Sequence, residues 1–227
     1  IAMLPRAVPP QNLAAQLASV GLGRCPVILS PDRPSPISHA WQIHPAKERA
    51  IWKLRPCDRI RRKQLHQKWR NQLRKAERSG LTVTQHHMPA DPDCDVLRIA
   101  TRQARARHYQ SWPAPLTAAF AAAAPQQTRL FRVTSQGHDL AHMLFLTHGQ
   151  TATYHIGHIT AAGKRMALHN LILWHAASHF AQTGITDIDL GLVTGQVPGL
   201  DRFKLRTGAH ILQTGGTYLY WRPLSNS

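Results

Sequence analysis

Between Asp58 and Ser79, the apolar residues Leu65, Trp69, Leu73 and Ala76 recur at helical spacing, and Arg62, Lys63, Arg70, Arg74 and Arg78 occupy the remaining surface. The pattern predicts one amphipathic helix with Asp58 as N-cap, Gly80 as stop and Trp69 in the core. Leu81–Gln85 alternates as a short strand. Further helices are predicted over about Asp95–Tyr109 and Leu116–Ala124, the latter set between Pro115 and Pro125.

In the second half the period shortens to two. Arg129–Thr134, Leu140–Thr147 and Thr151–Ile159 are separated by Gln136-Gly137 and by His148-Gly149-Gln150, the signature of an antiparallel meander with tight turns. A long helix from about Lys164 to Thr183, stopped by Gly184, precedes a strand over Ile185–Leu190. A glycine-rich loop (Gly191–Gly199), a short basic segment (Asp201–Thr207) and one or two strands within Ile211–Trp221 complete the chain. This order predicts an α+β fold, a mixed and mostly antiparallel sheet flanked by helices. In such a sheet, ligands favour the gap where the strands before and after the long helix separate.

The first 40 residues differ in character. Pro5, Pro9, Pro10, Pro26, Pro31, Pro34 and Pro36 interrupt short apolar pieces, leaving a short helix over Leu13–Val20 and a strand over Pro26–Leu29. Trp41–Leu54 is mixed, with a strand around Ala50–Leu54. Residues 1–40 are therefore expected to be a proline-rich extension or domain remnant, and 41–227 the main domain.

With 227 residues and 43% apolar composition, the chain can bury a full core. No apolar run approaches the roughly 20 residues of a membrane span, and Leu13–Leu22 lacks the flanks of a signal peptide. The chain begins at Ile1 rather than Met, so a preceding segment is expected. Cys25, Cys57 and Cys94 lie far apart, which argues against a disulfide framework or zinc ribbon and for a reducing, cytoplasmic setting. His175 and His179 stand one helical turn apart but lack a third ligand, so no metal site is expected. No P-loop or dinucleotide fingerprint supports nucleotide hydrolysis or hydride transfer.

Charge changes the picture more. The formal net charge is +17, and Lys47 to Arg78 holds 13 Lys/Arg against Glu48, Asp58 and Glu77. Lys68, Arg70, Arg74 and Lys75 are the candidate polyanion-binding residues, with a solvated helix face as the bland alternative. A basic helix also admits a non-catalytic nucleic-acid-binding protein, although no helix-turn-helix partner is evident.

The run Lys68-Trp69-Arg70-Asn71-Gln72-Leu73-Arg74-Lys75-Ala76-Glu77 resembles a motif of the Fem-type aminoacyl transferases and their GNAT-fold N-acyltransferase relatives. The ordered series Tyr154-His155-Ile156-Gly157, Asn170-Leu171-Ile172-Leu173-Trp174, Asp187-Ile188-Asp189-Leu190-Gly191 and Gly199-Leu200-Asp201-Arg202-Phe203-Lys204 continues the likeness over roughly residues 54–221. The resemblance implies a GNAT-like domain that moves an acyl or aminoacyl group from an activated donor onto a small-molecule or peptide amine. The donor would be a cosubstrate, an aminoacyl-tRNA or an acyl thioester on CoA or an acyl carrier protein, with no permanently bound cofactor. Fem enzymes usually carry two such domains, whereas this chain has room for one plus a remnant. The stretch Thr160–Ala167 holds one glycine where acetyl-CoA users carry a glycine-rich signature, which weakens ordinary acetyl-CoA use.

The resemblance places Phe203 and Lys204 beside the reacting centre, Lys204 to stabilise charge on a carbonyl under attack or on a phosphate. If Phe203 anchors the segment, alternation turns Lys204 towards the cleft. Aminolysis of an ester or thioester needs alignment and oxyanion support more than a protein nucleophile, and no Ser/His/Asp set is evident. Tyr154, His155 and His158 lie on the strand entering the cleft, and His158 is the candidate proton acceptor. Alternation puts His155 and His158 on opposite faces unless a bulge intervenes. Gly163, Lys164 and Arg165 at the long helix's start would suit an anion. Asn170, Asp189 and Arg202 are further substrate-binding candidates, and for Asp189 a loop-holding role stands beside that of orienting an amine.

Overall fold

The structure, a computed structural model, describes residues 1–5, 12–109 and 111–221; Pro9 and Pro10 lie outside the described residues. The chain begins with β1 (Ala2–Pro5), α1 (Leu13–Ser19), β2 (Val27–Ser30), β3 (Ala40–His44) and β4 (Glu48–Lys53). Next come α2 (Asp58–Gln64), α3 (Gln67–Glu77), β5 (Thr84–His86), α4 (Asp95–Ala106) and α5 (Ala114–Ala123). The meander β6 (Thr128–Ser135), β7 (His138–His148) and β8 (Thr151–Ile159) leads into α6 (Ala161–Arg165) and α7 (Leu168–Gln182). The chain continues through β9 (Asp187–Leu192), α8 (Pro198–Leu205), β10 (His210–Gln213) and β11 (Thr217–Tyr220). It is an α+β fold with mostly antiparallel pairing, and it divides into two compact units. No helix among the described residues is long and apolar enough to cross a membrane.

The larger unit comprises Ile51–Gly191 and Arg202–Ala209. Its strands run in the order β4-β9-β8-β7-β6-β5. The β6–β7 turn works because Gln136 and Gly137 both take positive φ, 51° and 76°, as a type I′ turn requires. One sheet face packs Phe131 and Phe145 against Phe180 of α7, at ring separations of 5.3–5.9 Å. The other buries Leu130, Leu144 and Leu146 against Val96 and Leu97 of α4 and Ala118 and Ala121 of α5. Helix α7 is apolar nearly all round, which suits a helix enclosed by its neighbours. It ends in a Schellman turn: Gly184 takes φ 83° and Ile185 N–H reaches Phe180 C=O at 3.0 Å.

Both long helices expected from the sequence are broken. The predicted helix over 58–79 is two, because Leu65 and His66 are extended (ψ 138° and 146°). The His66 ring then caps α3 by accepting from Lys68 N–H, and His66 N–H donates to Arg206 C=O. The N-cap of α2 is Cys57, and Asp58 is its first helical residue. The stripe itself holds, with Leu65, Trp69, Leu73 and Ala76 all buried. The predicted helix over 164–183 is likewise two, divided at Ala167 with φ 57°, so the long helix starts at Leu168 rather than Lys164. The basic segment 201–207 belongs largely to α8.

The smaller unit comprises Ile1–Ala50, Leu192–Asp201 and His210–Ser227. Its four-stranded sheet has the order β1-β2-β11-β3, with β1 parallel to β2 and β11 antiparallel to both its neighbours. Leu13 and Leu17 of α1 pack with Val27, Leu29 and Tyr220 beneath it. The expected N-terminal helix and strand are thus present as α1 and β2.

Candidate active site

Strands β8 and β9 pair in parallel over only three residue pairs, Thr151↔Asp187, Ala152↔Ile188 and Thr153↔Asp189. Beyond that point β8 runs on to Ile159 paired with β7, and β9 runs on past Leu190 and Gly191. Two strands that stop pairing inside a sheet leave backbone N–H and C=O groups facing a gap, which a ligand can satisfy. A bulge accompanies the parting. Leu144 pairs with Ile156 while Phe145 pairs with Tyr154, so His155 is the extra residue on β8. Such bulges bend and twist a strand.

Tyr154 and Gly157 form one construction on this strand. The Tyr154 ring packs on Phe145 at 5.7 Å, and its hydroxyl occupies the space above Gly157: a Cβ there would lie 1.9 Å from the phenolic oxygen. Among the described residues that hydroxyl makes no hydrogen bond. Burial, followed by the nearby Tyr109, pushes its pKa up, so it remains an O–H donor. Gln103 of α4 donates to Gly157 C=O and Tyr109 Oη, at 3.2 and 3.3 Å.

Across the gap, Lys204 of α8 is buried, with 6% of its surface exposed. Its Nζ lies 3.9 Å from where a Cβ on Gly191 would stand. Gly191 takes φ 82°, and its N–H donates to Oδ1 of buried Asp189 at 2.9 Å. Asp189, Gly191 and Lys204 thus meet where β9 leaves β8. Because this segment is helical, strand-like alternation does not set the direction of Lys204. Phe203 packs instead between Trp69 (6.1 Å) and His169 (6.3 Å). Arg202, beside it, is exposed.

The histidines sort differently. The bulge turns His155 towards Thr117 of α5, at 3.0 Å, and Trp112 covers its ring at 4.9 Å. Burial pushes its pKa down to about 4. His158 pairs across the strands with His142, the rings 5.5 Å apart, and burial, then His142, lowers its pKa. His142 is fully buried and its Nδ1 meets Asp139 at 2.5 Å, Asp139 being also paired with Arg132. His169 donates from Nε2 to His158 C=O at 2.9 Å, and burial is the chief reason its pKa falls to about 4. No local sequence signal marks His142, His169 and Gln103 as bordering the site, since only cross-strand register and helix packing bring them to β8.

The anion-binding candidates separate. Gly163 packs against β7, since a Cβ there would lie 2.6 Å from Leu140 C=O, and its N–H is held by Thr160 Oγ1. Lys164 and Arg165 are exposed on α6, and Asn170 is buried in the first turn of α7. On α3, Lys68, Arg74 and Lys75 are exposed. Arg70 folds back onto the carbonyls of Lys63 and Leu65. Other basic residues of the segment are structural: Arg61 is fully buried against Arg55 C=O, Asp58 and Ser178, and Arg62 grips Glu77 with both carboxylate oxygens.

A family model described as an acetyltransferase (GNAT) domain matches residues 63–205. Among solved structures, FemX shares the fold with a TM-score of 0.72 at 12% identity, covering 99% of this chain and 82% of FemX. The C-terminal domain of a protein from Agrobacterium fabrum named as a lysylphosphatidylglycerol synthetase matches at TM-score 0.61 and 14% identity, covering 95% of this chain and 75% of that one. A conserved protein of unknown function from Bacteroides thetaiotaomicron matches at TM-score 0.52 and 12% identity, over 92% and 66% of the two chains. No curated protein sequence gives a significant match.

Proposed function

The chain belongs to the GNAT acetyltransferase domain family, and from that premise we propose that it transfers an acyl or aminoacyl group to an amine in the gap between β8 and β9. The observation that carries this reading is the early end of β8–β9 pairing beside a buried lysine, a polar opening inside an otherwise continuous sheet.

The donor's carbonyl sits against the unpaired backbone of β8 and the Lys204 ammonium. The amine nitrogen attacks the carbonyl carbon, and negative charge collects on the carbonyl oxygen, where a fixed cation helps most. Tyr154, held protonated by burial, supplies a second donor to that oxygen or to the leaving group. The C–O bond of an ester, or the C–S bond of a thioester, then breaks as the new C–N bond persists, and the leaving atom takes a proton. His158, kept neutral by burial, accepts the proton that the amine sheds. Asp189 holds the Gly191 turn through its Oδ1, and Phe203 seats α8 against Trp69.

An aminoacyl ester of tRNA is the leading donor. The exposed Lys68, Arg74 and Lys75 offer phosphate contacts, while Gly163 is closed off by β7 rather than open to a pyrophosphate. The acetyltransferase family match favours an acyl thioester as the second reading. Neither fold nor family supports the non-catalytic nucleic-acid-binding alternative. The deciding experiment supplies radiolabelled aminoacyl-tRNA or acyl-CoA with a panel of amines. Enzyme-dependent amide formation from aminoacyl-tRNA alone establishes the leading donor, and none from either donor sinks the proposal.

A further inference from the structure

Helix α4 carries Arg98, Arg102 and Arg105 along one face, spaced four and three residues apart. Like charges at this spacing repel and destabilise a helix. Among the described residues none of the three guanidinium groups makes a hydrogen bond or ion pair, although Arg61, Arg62 and Arg132 are all matched with acids. The three guanidinium-bearing residues line one open cavity of about 390 Å³, together with Thr101, Pro92, Asp93 and Ala114 at the start of α5.

We propose that this cavity is a binding site for the phosphate group of a small phosphorylated ligand. Three guanidinium groups against the single carboxylate of Asp93 leave the wall with two net positive charges. A phosphomonoester carries about −1.5 to −2 at pH 7 and balances that wall, whereas a single carboxylate leaves one charge uncompensated. Arginine forks also match the several oxygens of a phosphate better than they match one hydroxyl or amide. The volume lies within the roughly 300–1,000 Å³ of small-molecule sites. RNA binding calls for a continuous basic track with stacking faces rather than one open concavity lined by a short arginine row on a single helix. The same helix reaches β8 through Gln103, so a ligand held here lies on the element bordering the acyl-transfer gap. The site does not depend on acyl transfer for its argument.

The test is isothermal titration of the whole protein with inorganic phosphate, with methyl phosphate, and with acetate at matched ionic strength. Phosphate and methyl phosphate should bind about tenfold tighter than acetate, and the Arg98→Gln/Arg102→Gln/Arg105→Gln variant should lose about tenfold or more of that affinity. A Lys53→Gln/Arg59→Gln variant, on β4 and α2, should bind phosphate like the parent. All five substituted positions are exposed, so loss of fold does not confuse the comparison. Phosphate binding no tighter than acetate, or unchanged in the triple variant, overturns the proposal. So does tight binding of a short single-stranded RNA that phosphate fails to displace. Because no turnover is measured, failure here leaves the acyl-transfer reading standing, and failure of that reading leaves this site standing.

Discussion

His169 makes stability depend on pH in a way that can be isolated. The ring is enclosed at the start of α7, donates its Nε2 proton to His158 C=O, and faces His142, His158 and Lys164. Protonation would put a second cation among these groups where burial has removed much of its hydration, so the folded-state pKa falls from 6.5 to about 4. In the unfolded chain the ring recovers its ordinary value. Between pH 6.5 and 4 the unfolded state therefore binds more protons, and stability falls as pH falls. The stabilisation is fully present above pH 6.5 and is gone below about pH 4, where the folded ring also protonates. The difference corresponds to about 3 kcal/mol, a large share of the roughly 5–15 kcal/mol of a typical domain. His169→Gln keeps an N–H donor but cannot titrate. Urea unfolding of parent and variant at pH 7, 6, 5 and 4 should show their stability difference shifting by about 3 kcal/mol in the variant's favour on acidification. His155, displaced to a similar value by burial, contributes equally to both proteins and cancels. A difference that stays constant with pH refutes the account of His169.

Two further outcomes follow from the same geometry. Gly157→Ala drives a methyl group into the Tyr154 hydroxyl and should cost about 1–3 kcal/mol, partly relieved in combination with Tyr154→Phe; thermal melting of the four proteins checks it, and strictly additive effects would remove the contact. Replacing Lys68, Arg74 and Lys75 with Gln should weaken tRNA binding and flatten its salt dependence by about three counterions, while Arg70→Gln should chiefly lower stability, because its guanidinium serves the carbonyls of Lys63 and Leu65. Equal salt slopes for parent and triple variant would make α3 a solvated face.

Much of the fold was legible because its signals are local. The meander announced itself through alternation and through turn residues able to take positive φ, and the end of α7 through Gly184. The buried stripe of α3 followed from helical spacing. The breaks did not, because their causes are tertiary. Leu65 and His66 carry no breaker signal, and the extended backbone there is fixed by Arg206 C=O and by the His66 cap. Ala167 takes a left-handed conformation that propensity would assign to glycine or asparagine. The sheet of the smaller unit joins β11 to strands 173 to 193 residues earlier, a pairing that no local pattern encodes.

The candidate site shows the same division. Residue types and order pointed to Lys204, Tyr154 and Asp189, but not to what surrounds them. Lys204 was expected to turn towards the cleft by strand-like alternation with Phe203, whereas it reaches the neighbourhood of Gly191 as a buried residue of helix α8. The His155 bulge, which decides where both β8 histidines point, is visible only in the register with β7. Counting charge between Lys47 and Arg78 overstated the available polyanion surface, since Arg61 and Arg62 are spent on Asp58 and Glu77.

The proposed transfer turns on the buried Lys204 ammonium at the parting of β8 and β9, which is to stabilise charge on the carbonyl under attack. Its most direct measurement is single-turnover transfer from the active donor to its amine, in the parent and in Lys204→Met and Lys204→Arg, with melting curves as the control for folding. Removing such a preorganised charge should lower the rate constant about 100-fold or more, near 3 kcal/mol of barrier. Arginine should restore only part, because a planar guanidinium cannot occupy the position of a compact ammonium. A folded Lys204→Met protein that transfers at the parental rate would contradict the account.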